Sequence, residues 1–207
     1  MSHERQQRFW NRIARRYAAR QIKDVAAYEA MLTDVAARLA PSDRVLELGC
    51  GTGGTAIRLA PGVQDWKATD FSAQMIEIAR AKPAGDNLRF VLVDAEDAFD
   101  DAPFDAICAF NVLHLLDDPH AILARIHASL KPGGLLITKT WCFGDLGTRW
   151  RGLFAVLRAL GLFPAAHGFT VAGLRQSLEK AGFEIVDQAV FGKHRQNPYI
   201  VARRRSP

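Results

Sequence analysis

Apolar positions along the chain follow two rhythms. Over residues 4–20 and 24–39 they recur every three or four places, the spacing of helices with one buried face, with Asp24 capping the second and Pro41 closing it. "DRVLELG", "VQDWKATD", "LRFVLVD", "FDAICAFN" and "LLITKTW" are short apolar runs instead, the pattern of strands buried on both faces. Between them, "TAIRLA" is helical up to Pro61-Gly62, and Ser72 caps the helix "AQMIEIARAK". Pro119 sits in the first turn of "HAILARIHASL", where its missing N–H does no harm, and "KPGG" turns the chain into the fifth strand. This alternation predicts an α/β fold with a mostly parallel sheet and helices on both faces.

After the fifth strand the rhythm changes. Residues 142–168 read as a glycine-punctuated apolar helix, and Thr170 caps a last helix, "TVAGLRQSLEKAG". "FEIVDQAVF" and "PYIVARR" then close the chain as an antiparallel hairpin at the sheet edge. With 207 residues, 49% of them hydrophobic, the chain can bury one sizeable core, so one domain is expected. The net charge of +5 gathers at the ends, in "RQQRFWNRIARRYAAR" and at Arg203, Arg204 and Arg205. It reads first as a solvated helix face and tail, with attraction to nucleic acid or anionic lipid as the alternative. Cys50, Cys108 and Cys142 are odd in number and lack C-x-x-C spacing. They argue against a disulfide framework or structural zinc, and no metal is expected. The N-terminal residues hold no apolar leader, and the most apolar stretch, "GLFAVLRALGLFPAA", is broken by Arg158 and Pro164. A soluble, cytoplasmic protein is the expectation.

The chemistry concentrates in "VLELGCGTGG", residues 45–54, where a strand breaks into glycines. Gly49, Gly51 and Gly54 satisfy G-x-G-x-x-G, while Gly49, Gly51 and Gly53 satisfy G-x-G-x-G. Either loop lets a ligand approach the backbone closely. Asp70 ends the second strand, placed to accept hydrogen bonds from ribose hydroxyls. A nicotinamide dinucleotide and S-adenosylmethionine share both features. Glu47 separates them: a carboxylate beside the loop would repel a pyrophosphate but would tolerate an ammonium and a sulfonium. Asp94, in "VDAED", is placed to accept from an adenine amino group, with the backbone of Ala95 facing the ring.

"VLELGCGTGGTA", "KATDFSAQMIEIARAK", "VDAEDAFD", "FDAICAFNVLHLLDDP" and "LKPGGLLI" resemble, in order, the successive motifs of class I S-adenosylmethionine-dependent methyltransferases, of the small-molecule type. The resemblance implies a Rossmann-like seven-stranded sheet in the order 3-2-1-4-5-7-6, with strand 7 antiparallel. It implies that Gly49 and Gly51, flanking Cys50, line the methionine end of S-adenosylmethionine. Asp70 would bind ribose, Phe71 and Met75 would border the adenine with Asp94 and Ala95, and Asn111 would meet the methionyl group. The chain divides accordingly into an N-terminal helical lid (1–40), a cofactor-binding core (41–141), a helical insertion shaping the acceptor pocket (142–169), and the last helix with the closing hairpin (170–207).

For the transfer itself, His114 in "NVLHLL" is a candidate general base, needed only if the acceptor atom carries a proton of high pKa. The alternative makes it part of the pocket wall. Tyr17 is placed to reach the methionine end or the acceptor, and Trp10 or Phe9 to wall the pocket, unless these aromatics are core. The insertion carries Trp150, Phe154 and Phe163, next to Trp141 and Phe143, which favours a small hydrophobic or amphipathic acceptor. Arg149, Arg151 and Arg158 make contact with an anionic membrane surface an alternative use, and a homodimer contact another. "NVLHLLDDP" lacks the N-P-P-Y type of acceptor motif, so no nucleic-acid partner is expected. An RNA or protein acceptor, and a catalytically silent cofactor-binding protein, remain as alternatives.

Overall fold

A computed structural model describes residues 3–205; the end residues of the 1–207 domain reading lie outside the described residues. Helices α1 (His3–Ala18) and α2 (Val25–Arg38) precede a seven-stranded sheet of β1 (Arg44–Leu48), β2 (Asp65–Asp70), β3 (Leu88–Leu92), β4 (Phe104–Phe110), β5 (Leu130–Lys139), β6 (Phe183–Ala189) and β7 (Tyr199–Arg204). Helices α3 (Gly54–Leu59), α4 (Ala73–Arg80), α5 (Pro119–Ser129), α6 (Thr148–Ala159) and α7 (Val171–Lys180) connect them. The strand order is β3-β2-β1-β4-β5-β7-β6. β7 runs antiparallel to both β5 and β6, and the other neighbours are parallel, the arrangement the resemblance implied.

Strand alternation sorts the core into two layers. Val45, Trp66, Ala68 and Cys108 face α2, α3 and α4, where Met31, Leu32, Val35, Leu59 and Ile76 meet them. Leu46, Leu48, Phe104 and Ile107 face the other way, against Leu123 and Ile126 of α5 and Leu174 and Leu178 of α7. The caps read from sequence are present: Asp24, Ser72 and Thr170 accept from Ala27, Met75 and Gly173 N–H.

Two expectations are corrected. "KPGG" lies inside β5: pairing to β4 jumps from Phe104↔Leu130 to Ala106↔Leu135, so residues 131–134 bulge out of the ladder. The apolar helix expected over 142–168 contracts to α6, and none of its residues is buried. Its glycines at 147 and 161 bound it, with Gly161 in the left-handed region at φ 69°.

Candidate cofactor site

The carboxyl ends of β1, β2, β3 and β4 open into one cavity, where parallel α/β sheets bind ligands. Its floor is the loop between β1 and α3. Gly49, Gly51 and Gly53 have φ of 65°, 55° and 76°, whereas Gly54 does not, so G-x-G-x-G is the pattern the backbone requires. A Cβ on Gly53 would stand 2.6 Å from the Phe90 ring, whereas one on Gly51 would meet only Tyr17, at 3.9 Å, across the cavity.

Asp70 shapes this floor. Gly51 N–H donates to its Oδ2 at 2.9 Å and Ser72 N–H to its Oδ1 at 2.8 Å. Burial raises its pKa, and those two N–H groups counter the rise. Each oxygen keeps a free lone pair, and the residue lines the cavity. Phe71, Met75, Val93, Asp94 and Ala95 make one wall, and Asn111 with Val112 the opposite one. Asn111 has φ 57°, a left-handed conformation that asparagine tolerates better than other non-glycine residues, and its N–H donates to Lys139 O at 2.6 Å. Such strain at the mouth of a ligand cavity is characteristic of functional sites.

Helix α1 roofs the cavity with His3, Gln6, Trp10 and Tyr17. These positions follow helical spacing, but two are polar, so apolar periodicity did not reveal His3 or Gln6 as cavity residues. Polar bonds fasten the roof. Gln7 Nε2 donates to Phe71 O at 2.9 Å, Ser72 Oγ donates to Asn11 Oδ1 at 2.7 Å, and Gln6 Nε2 donates to Leu115 O at 3.1 Å. His3 pairs with Asp94 and lies edge-on to the Phe71 ring at 5.4 Å. Asp94 also caps the turn after β3 by accepting from Glu96 N–H at 3.2 Å. Partial enclosure, with the residue still 48% exposed, and the Asp70 charge push the Tyr17 hydroxyl up from its ordinary pKa.

Four sequence-selected residues stand apart from the lining. Glu47 alternates with Val45 towards α2 and α3, is 2% exposed, and accepts from Trp66 Nε1 at 3.1 Å. Burial pushes its carboxyl up to about 8, so it is mostly protonated at neutral pH. Its power to repel a pyrophosphate is correspondingly small. Cys50 is buried, and its N–H donates to Thr69 O at 2.8 Å, holding the loop to β2. His114 is 4% exposed and packs 5.5 Å from Phe143, and its Nδ1 has no partner among the described residues. Burial lowers its pKa to about 3. Phe9 also departs from the cavity, facing outward from α1. Trp141, Phe143, Phe154 and Phe163 form a separate aromatic cluster, with neighbouring centroids 4.8–6.1 Å apart.

A family model described as "Methyltransferase domain" matches residues 9–188. The chain belongs to this methyltransferase family. The methyltransferase is 38% identical over 97 residues to a demethylmenaquinone methyltransferase of Clavibacter sepedonicus, covering 46% of this chain and 40% of that protein. It is 37% identical over 112 residues to a tRNA 5-carboxymethoxyuridine methyltransferase of Escherichia coli K12, covering 51% and 43%. The chain thus spans less than half the length of these curated relatives. Among solved structures, magnesium protoporphyrin IX methyltransferase of Synechocystis PCC 6803 with bound SAH superposes at a TM-score of 0.69. That match has 22% identity and covers 96% of this chain and 93% of the other. The cofactor of the methyltransferase is S-adenosylmethionine, and the cavity fits it: an open approach over Gly51, a carboxylate with free lone pairs at Asp70, and an apolar slot at Phe71, Met75 and Val93. No helix among the described residues is long and apolar enough to cross a membrane.

Proposed function

We propose that the protein transfers a methyl group to a small apolar or amphipathic acceptor. The convergence of Gly51, Asp70 and Asn111 on one cavity beneath α1 carries this reading. When bound, S-adenosylmethionine supplies a methyl group on a sulfonium that leaves as a neutral thioether. Asp70 accepts from the ribose hydroxyls, and Phe71, Met75, Val93 and Ala95 flank the adenine. Asp94, which holds His3 here, would be the acceptor for the adenine amino group. Gly49, Gly51 and Asn111 hold the methionyl end, and Tyr17, kept protonated, donates there. Glu47 and Cys50 act one layer down: Glu47 braces β1 against β2 through Trp66, and Cys50 ties the loop to Thr69. The roof excludes water and fixes the reactants in line, the main protein contribution to a displacement of this kind.

The aromatic cluster supports the acceptor class. Trp141, Phe143, Phe154 and Phe163 lie where α6 follows the fifth strand, with His114 against Phe143. The match to a demethylmenaquinone methyltransferase points the same way. A second reading, an RNA acceptor, draws on the match to the tRNA methyltransferase. Incubating the protein and labelled S-adenosylmethionine with a cell extract, then partitioning, separates them. Label in the organic-soluble small-molecule fraction is expected. Label confined to RNA overturns the acceptor class, and failure of S-adenosylmethionine or its demethylated product to raise Tm overturns the catalytic reading itself.

A further inference from the structure

The outer side of the roof carries a feature unrelated to the cofactor. Arg5, Arg8, Arg12, Arg15 and Arg16 recur along the exposed side of α1 at helical spacing. Among the described residues none of these guanidinium groups pairs with a carboxylate. Arg5, Arg8 and Arg12 wall a groove completed by Phe9, Leu160, Gly161 and Phe163, with no acidic residue in its lining. Arg12 Nη2 donates to Gly161 O at 3.2 Å, joining α1 to the end of α6.

Helix α6 extends the groove into an apolar ridge. Trp150, Leu153, Val156 and Leu160 fall on one stripe of about 120° and are 59%, 46%, 56% and 65% exposed. Leu162, 62% exposed, prolongs it, and the exposed Arg149 lies on the same face one turn before Leu153. A soluble helix turns such a stripe inward; here the stripe faces outward while Phe154 turns to the aromatic cluster. A tryptophan and leucines beside a row of unpaired arginines are the composition of a surface that sits at a lipid headgroup boundary.

We propose that α1 and α6 together dock the protein on an anionic phospholipid bilayer, the arginine groove taking lipid phosphates and the α6 ridge entering the acyl boundary. Charge complementarity selects this occupant. In a two-fold pairing of this patch with a second copy, the same patch meets itself and two rows of unpaired arginines are brought together. An RNA would use the arginines but leave the leucine ridge in water. The proposal does not depend on the identity of the methyl acceptor or on turnover.

Co-sedimentation of the intact protein with vesicles tests it, comparing pure phosphatidylcholine with phosphatidylcholine containing phosphatidylglycerol. Binding to the mixed vesicles alone, weakened by salt, is expected. Arg5→Gln, Arg8→Gln and Arg12→Gln should each weaken it roughly fivefold, and Trp150→Ser with Leu153→Ser should abolish penetration of the bilayer. Each variant's thermal shift with S-adenosylmethionine reports that the fold is intact. Equal binding to both vesicle types, or to neither, overturns the proposal. So does loss of vesicle binding in millimolar inorganic phosphate at constant ionic strength, which would mark a soluble-phosphate site. A dimer in sedimentation that Trp150→Ser dissolves, or RNA binding that Trp150→Ser leaves unchanged while vesicles do not bind, also overturns it.

Discussion

His3, the first described residue of α1, pairs with Asp94 at the end of β3, across the mouth of the cavity. The same helix is tied down by Gln6, Gln7 and Asn11, while only Gln6 and Ala14 on it are buried. The roof is therefore held by a few polar bonds worth about 0.5–1.5 kcal/mol each, not by a packed apolar face. Helix α1 should open far more readily than the sheet. Hydrogen exchange should show α1 amides exchanging well before those of β4, and the demethylated cofactor should slow them. Protection of α1 equal to that of β4 in the free protein would contradict this.

The glycine loop predicts a contrast between two substitutions. Gly53→Ala drives a methyl group into the Phe90 ring and should destabilise the whole fold. Gly51→Ala meets open space, so its structural cost is the left-handed backbone alone, about 1–2 kcal/mol. Its methyl group would project where the ligand approaches. Calorimetric titration should therefore show Gly51→Ala losing cofactor affinity with a Tm lowered by roughly 2–8 °C, and Gly53→Ala losing Tm by more. Asp70→Ala should weaken binding by about 1–3 kcal/mol.

Glu47 predicts a pH dependence of stability. Its carboxyl has an ordinary pKa of 4.5 and is raised to about 8 by burial. Between those values the folded protein holds a proton that the unfolded chain has released. Stability from this group is complete below about 4.5 and is lost as pH rises through 8, on the order of a few kcal/mol in all. Glu47→Gln keeps an acceptor for Trp66 and cannot ionise. Its denaturation midpoint should vary less than wild type over that window; an identical slope would show that Glu47 does not titrate there.

Much of this was legible in the chain, and the failures have physical causes. Strand runs bounded by caps at Asp24, Ser72 and Thr170 encode their own ends, and the five ordered motifs carried the sheet order. Glu47 was visible but misjudged: in "VLELG" it alternates with Val45, so it shares a buried face and loses its charge. His3 and Gln6 were missed because a polar helix face over a cavity has no hydrophobic signature. Residues 142–168 read as one apolar helix because apolar content carries no stop signal of its own; the structure confines the helix to Thr148–Ala159 and leaves Trp150 and Leu153 in the open.

His114 is the last test, because its position and its chemistry point the same way. It is buried against Phe143, outside the cavity lining, and burial depresses its pKa from 6.5 to about 3. A base so weak removes a proton from a neutral acceptor poorly, since general-base catalysis is most effective when the pKa lies near the working pH. His114→Gln should therefore keep activity within about tenfold, compared with the 10²–10⁴-fold such catalysis usually contributes. The same shift predicts a stability effect of opposite sign to that of Glu47. Below 6.5 the unfolded chain takes up a proton that the folded imidazole refuses, so wild type should lose stability as pH falls from 6.5 towards 3. His114→Gln should remove that part of the acid sensitivity. A rate loss beyond a hundredfold, with an inflection in the pH–rate profile that the substitution abolishes, would return His114 to the catalytic step.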